Sequence, residues 1–91
     1  MNKIKCPDGG TVTEGETFDW ENHSSKSVTI ANCGTFLTQS SYLVPAKNGN
    51  TPGTCPATVK TGITAGDYTY AEEPNITGTN PTMKVNTSMP R

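Results

Sequence analysis

The chain has one histidine, little charge and no long apolar run, and each shortage removes a class of function. With His23 alone, neither a Ser/His/Asp triad nor a pair of imidazoles on one metal can be assembled. The acidic side chains are scattered, so no nucleophile–base pair or paired acid stands out and the expectation is a protein that is not an enzyme. Charged residues make up 16% of the sequence and the formal net charge is -1. No basic patch exists to release counterions from a phosphate backbone, which argues against nucleic acid as a partner. The longest apolar runs, "YLVPA" and "VTIA", fall far short of a bilayer span. A basic start, "MNKIK", is followed by no apolar h-region, so the chain as it stands shows no signal peptide.

Cysteine is scarce and oddly counted. There are three, Cys6, Cys33 and Cys55, with no C-x-x-C spacing and no nearby histidine, so zinc-finger and thioredoxin patterns are absent. In a small chain rich in Thr, Ser, Asn and Gly, the expected use is one disulfide and one thiol left over. Three pairings are possible. The remaining thiol is left free, available to a second copy, or available to a metal.

What is present is strand and turn. At 91 residues the chain is expected to be one β domain over 1–91, its core spanning about 11–85 with short terminal extensions. "TVTEGETFDWEN" alternates about a turn at Glu14–Gly15, placing Phe18 and Trp20 on one face and Thr17, Asp19 and Glu21 on the other. "SVTIANCG" turns Val28 and Ile30 inward. "TFLTQSSYLVPA" holds two short apolar clusters, Phe36–Leu37 and Tyr42–Val44, readable as strands or as a brief helical turn between them. "KNGNTPGT" is the strongest loop signal. Strands are expected over Ala57–Thr61 and Tyr68–Ala71, and "TMKVNT" closes the chain with Met83 and Val85 on one face. Short strands with turn signals every ~8–12 residues predict an all-β, antiparallel sandwich or barrel.

The order of these motifs is more specific. "VTEGETFDWENHSSKSVTI" resembles the opening of the cupredoxin-like domains, a V-x-x-G-x-x-h-x-h-x-N segment running into the next strand. "TVKTGITAGDYTYAEEPNITGTNPTMKV" is similar to their ending, in which a G-x-Y-x-Y strand enters a ligand-bearing loop. The resemblance covers roughly Thr11–Val85 and implies a Greek-key β-sandwich. Blue-copper members carry Cys, His and usually Met in that last loop, because copper takes a thiolate, imidazoles and a weak thioether. Here Glu72 stands where the Cys would be and no His follows, while the upstream position holds Asn32 or Cys33. The resemblance therefore implies a cupredoxin-like domain without a type 1 copper site and without a cofactor.

It further implies that Cys33, Cys55 and the last loop lie at one end of the sandwich, with Cys6 near, which favours a Cys33–Cys55 disulfide pinning that end. The alternative is an atypical copper(I) or other soft-metal site, or a redox protein, built from Cys6, Cys33 and Cys55 with Met83 or Glu72. Met83, alternating with Val85, reads more simply as core. Glu72, Glu73, Asn75 and Asn80 are the binding candidates of the loop. Adjacent glutamates on a strand point to opposite faces, and the loop lacks the spaced acids of a calcium site. His23 reads as a solvated turn residue and Trp20 as the centre of the core. Asn22, Asn75 and Asn86 open N-x-S/T triplets. The expected role is a non-enzymatic, extracytoplasmic (periplasmic or secreted) binding or structural domain with a protein or cell-surface partner. Homo-oligomers are open to it through sheet edges or the odd cysteine.

Overall fold

The computed structural model describes residues 2–6, 9–74 and 78–87. Their strands are β1 (Asn2–Lys5), β2 (Gly10–Thr13), β3 (Thr17–Asn22), β4 (Val28–Ala31), β5 (Tyr42–Val44), β6 (Gly53–Thr58), β7 (Gly66–Thr69), β8 (Ala71–Glu73) and β9 (Thr82–Asn86). They form three small sheets, β1-β3-β6, β2-β9-β7 and β5-β4-β8, whose inner faces share one core.

β3 shows why the pattern folds this way. Its residues alternate buried Phe18, Trp20 and Asn22 with less buried neighbours, so one face must find apolar cover. Trp20 is fully buried and gathers the other rings: Phe18 at 5.1 Å, Tyr70 at 5.3 Å and Tyr42 at 6.4 Å between centroids. Phe36 continues the cluster to Tyr70 and Tyr68. Tilted and edge-on ring pairs of this kind add to the gain from area burial alone. Trp20 is thus the centre of the core, as its place in the alternating pattern predicts.

The expected alternation holds in β3, β4 and β9, and Met83 is a fully buried core side chain. Four strand pairings are antiparallel, but β1 lies parallel to β3 and β2 parallel to β9. A hairpin cannot join parallel neighbours. β1 reaches β3 only because the chain leaves that sheet to form β2 in another one, and β2 meets β9 from the far end of the sequence. The core accordingly begins earlier than residue 11, at the buried Ile4 and Cys6.

Other boundaries move for local reasons. β6 starts at Gly53, before the expected Ala57, because Asn22 and Trp20 of β3 pair with Gly53 and Cys55. A β-carbon on Gly53 would stand 1.8 Å from the Pro45 carbonyl oxygen, so only glycine lets β6 approach the end of β5. The expected strand through Tyr70 divides there: β7 pairs with β9 and β8 pairs with β4, while Tyr70 turns into the core between them. Phe36 and Leu37 are buried on a turn in which both N–H groups reach the Cys33 carbonyl.

Truncation at Trp20 empties the middle of this cluster. Trp20→Ala is expected to cost about 3–5 kcal/mol, a large part of the roughly 5–15 kcal/mol typical of a folded domain. Urea unfolding followed by far-UV circular dichroism would show it as a large fall in midpoint; a fall equivalent to less than about 1 kcal/mol would place the core elsewhere.

Candidate functional site

The residues that could carry function meet at one end of the sandwich, where β1 ends, β3 turns into β4 and β8 runs out. Asn22, the last residue of β3, organises this end. Its side chain is 1% exposed, and its Nδ2 donates towards the carbonyls of Lys26 (2.8 Å), Pro45 (3.1 Å) and Val44 (3.3 Å). Its Oδ1 accepts from the Ser24 N–H at 2.9 Å. A buried amide with this many partners fixes the 23–27 turn and ties it to the end of β5. The triplet opened by Asn22 is therefore no glycan acceptor in the folded chain, because its amide is engaged inside.

Below that turn lies a cleft of ≈ 160 Å³ with walls from Cys6, Asn22, Lys26, Val28, Glu72 and Pro74. Ser24 and Ser25 stand at its turn side. Glu72 is placed there by register: β8 pairs with β4 so that Ala71 lies opposite Ala31, Glu72 opposite Ile30 and Glu73 opposite Thr29. The chain thus runs toward Val28 and leaves the sheet at Pro74. Side chains alternate along β8, so Glu72 is buried while Glu73 is exposed, as two adjacent strand residues should be.

The same register corrects the expected grouping of cysteines. Cys33 follows Ala31 and so lies at the opposite end of β4 from Pro74. Cys55 sits in mid-strand opposite Trp20. None of the three cysteines is in a disulfide, and the expected Cys33–Cys55 bond is absent because the two side chains are not within bonding distance. The Cys33 thiol is instead engaged by the Ser40 carbonyl at 3.2 Å, in the turn beyond β4. Only Cys6 comes to the loop end with Glu72. Met83 is buried at the register of Gly10 and Tyr68, within the core. Among the described residues no three His, Cys, Asp or Glu side chains gather closely enough to hold a metal ion.

Of the other loop candidates, Asn80 is exposed and Asn75 lies outside the described residues, with its N-x-T triplet. His23 is an exposed turn residue whose Nε2 is 3.1 Å from the Glu21 carboxylate. Sequence reasoning missed Lys26, Val28 and Pro74 as walls of the cleft. Pro74 follows the two loop glutamates directly, but nothing local in "SSKSV" announces that this turn faces them.

Electrostatics quiets the thiols away from the cleft. Burial pushes Cys33 up to about 11, and burial with the nearby Asp19 charge raises Cys55 as well. Burial also raises the Tyr42 phenol, to which both thiols lie close enough to add. Raised thiols carry little thiolate near neutral pH and are poor nucleophiles.

The fold is cupredoxin-like, and by sequence the loop that follows β8 contains neither cysteine nor histidine. Solved structures with a similar fold include forms of amicyanin. A mutant of oxidized amicyanin superposes with a TM-score of 0.57 at 15% identity, over 93% of this chain and 81% of that one. A copper(I) form of another amicyanin mutant gives 0.56 at 15% identity, over 92% and 80%. No protein-family model and no curated protein sequence matches the chain.

Two outcomes follow. Thiol titration of protein unfolded without reductant should return all three cysteines; a single thiol would reinstate a disulfide. Because the folded Cys33 holds its proton to higher pH than the unfolded chain does, unfolding releases protons in alkali. Stability should therefore fall as pH climbs from about the ordinary thiol range toward 11, and Cys33→Ala should flatten that slope in urea midpoints measured across the range. An unchanged slope would remove Cys33 as its source.

Proposed function

We propose that this chain is a non-enzymatic, extracytoplasmic binding domain that keeps the cupredoxin-like frame and uses the loop-end cleft to hold a non-metal ligand or a protein partner. The observation that carries this reading is the pairing of Glu72 with Ile30. It sets a buried carboxyl side chain into a cleft at the end where the last loop begins. A carboxyl in that place has no thiolate softness to offer copper, and the apolar walls from Val28 and Pro74 suit an organic group.

The rest of the molecule agrees with a scaffold role. The polar, Thr- and Asn-rich composition and low charge suit a domain that works outside the cytoplasm. No helix among the described residues is long and apolar enough to cross a membrane. Pro56 lies within the outer strand β6, where a missing N–H discourages pairing with another sheet.

Elemental analysis together with titration of copper(I) and copper(II), followed by backbone NMR, tests the reading. Expected are far less than one equivalent of Cu, Zn or Fe after dialysis and unmoved resonances at Lys26, Val28 and Glu72. One retained equivalent of copper that is lost in Cys6→Ser or Glu72→Gln would replace the binding domain by a soft-metal protein.

A further inference from the structure

The connection between β5 and β6 sets Asn48 beside Gly49, and of the asparagines in the sequence this one alone precedes a glycine. The turn around them is tight. The Asn48 N–H donates to the Thr51 carbonyl at 2.8 Å, and the Thr51 N–H donates to the Asn48 carbonyl at 3.0 Å. Neither bond uses the Gly49 N–H. Residues 47–51 are exposed, and a β-carbon at Gly49 would meet nothing within 4 Å, so no neighbour crowds this residue. Gly49 has a φ of 62°, and the conformational range of glycine lets the backbone bend while a ring closes on it.

The other described asparagines lack this combination. Asn80 precedes Pro81, whose nitrogen carries no hydrogen to give up. The nitrogens that follow Asn32 and Asn50 are engaged, Cys33 with the Ser40 carbonyl at 3.2 Å and Thr51 within the turn itself. The Asn22 amide is held inside by three carbonyls. Asn2 and Asn86 precede Lys3 and Thr87, whose side chains hinder attack by their own nitrogens.

We propose that Asn48 is a site of spontaneous covalent modification, at which the protein loses ammonia and takes up water. The Gly49 nitrogen yields its proton to base and bonds to Asn48 Cγ. The Cγ–Nδ2 bond breaks, the departing nitrogen takes up a proton and ammonia leaves, so that a succinimide ring joins the two residues. Water then opens the ring at one of its two carbonyls. Opening at Cγ leaves an aspartate in the ordinary chain, whereas opening at the former main-chain carbonyl sends the chain through Cγ as isoaspartate. Water is the one co-reactant.

Either product adds a negative charge to a chain whose formal net charge is -1. Isoaspartate also lengthens the main chain by one carbon. The carbonyl that accepts from the Thr51 N–H then leaves the main chain as a free carboxylate, which undoes the closure of the turn. Lys47, one residue earlier, donates its N–H to the Ser24 carbonyl at 2.9 Å. The altered turn therefore adjoins a bond that steadies the 23–27 turn.

Ageing the full chain in mildly alkaline buffer, with peptide mapping by mass spectrometry at intervals, tests the proposal. The tryptic peptide 48–60 should gain one mass unit before any other asparagine-bearing peptide, and should divide into two chromatographic forms, aspartate and isoaspartate. Asn48→Gln, a change at an exposed side chain, should abolish the early gain, because the larger ring that glutamine must form closes far more slowly. Gly49→Ala should slow the gain severalfold in the chain unfolded by urea, where strain at the turn plays no part. Another asparagine changing first, or an early gain that survives Asn48→Gln, would overturn the assignment. A native peptide 48–60 that keeps its mass would overturn it as well, and a gain there in the unfolded chain alone would show that the turn protects Asn48.

Discussion

The side-chain amide of Asn22 is the constraint on which the working end of this molecule depends. One buried group joins three chain segments: the last residue of β3, the turn that follows, and the carbonyls at the end of β5. The turn contains no glycine or proline, and "HSSKS" has no strong conformational preference of its own. Its shape is imposed by hydrogen bonds to a side chain already anchored by the β3–β6 ladder. Buried polar groups with every partner met specify one geometry rather than adding much net stability. Here that specificity fixes where Lys26 and Val28 stand, and so determines one wall of the cleft.

The opposite wall is set by strand register. β8 is only three residues long, yet its pairing with β4 decides that Glu72 turns inward and Glu73 outward. A slip of one residue would exchange them and empty the cleft of its carboxyl. The Tyr70 side chain guards against that slip, since it is buried against Trp20 and Phe36 just before β8 begins. The aromatic core and the cleft are therefore one system, the first holding the strand that furnishes the second. The frame is the one shared with amicyanin, while the side chains at this end are not those of a copper-binding loop.

Much of this was legible in the residues. The alternation in β3, β4 and β9 named the inward side chains, and the motif order named the fold. The opposed directions of Glu72 and Glu73 followed from their adjacency. What stayed hidden depends on contacts between distant segments. β1 has one apolar residue inward, Ile4, too little for a periodic signal, and gains its strand character from lying beside β3. The parallel pairing of β2 with β9 has no local signature at all. The cysteines were misplaced because the end of β4 at which the last loop emerges is a matter of strand direction. The antiparallel course of β8 sends the chain back toward Val28, away from Cys33. Lys26 was overlooked because an exposed lysine in a polar turn looks like solvated surface until the strand carrying Glu72 is placed beneath it.

The pairing of β2 with β9 reaches from one end of the chain to the other, Val12 lying beside Val85. Contacts so far apart in sequence are costly to close and slow to form, whereas a hairpin such as β4–β5 joins nearby residues. During synthesis β2 emerges early and remains without its neighbour until the last strand has been made. Its valine and the outer threonines then stand on an unpaired strand for most of the time the ribosome takes to finish the chain. Completion of this sheet is thus a late event in the biogenesis of the domain, and any truncation before β9 leaves β2 with an open flank.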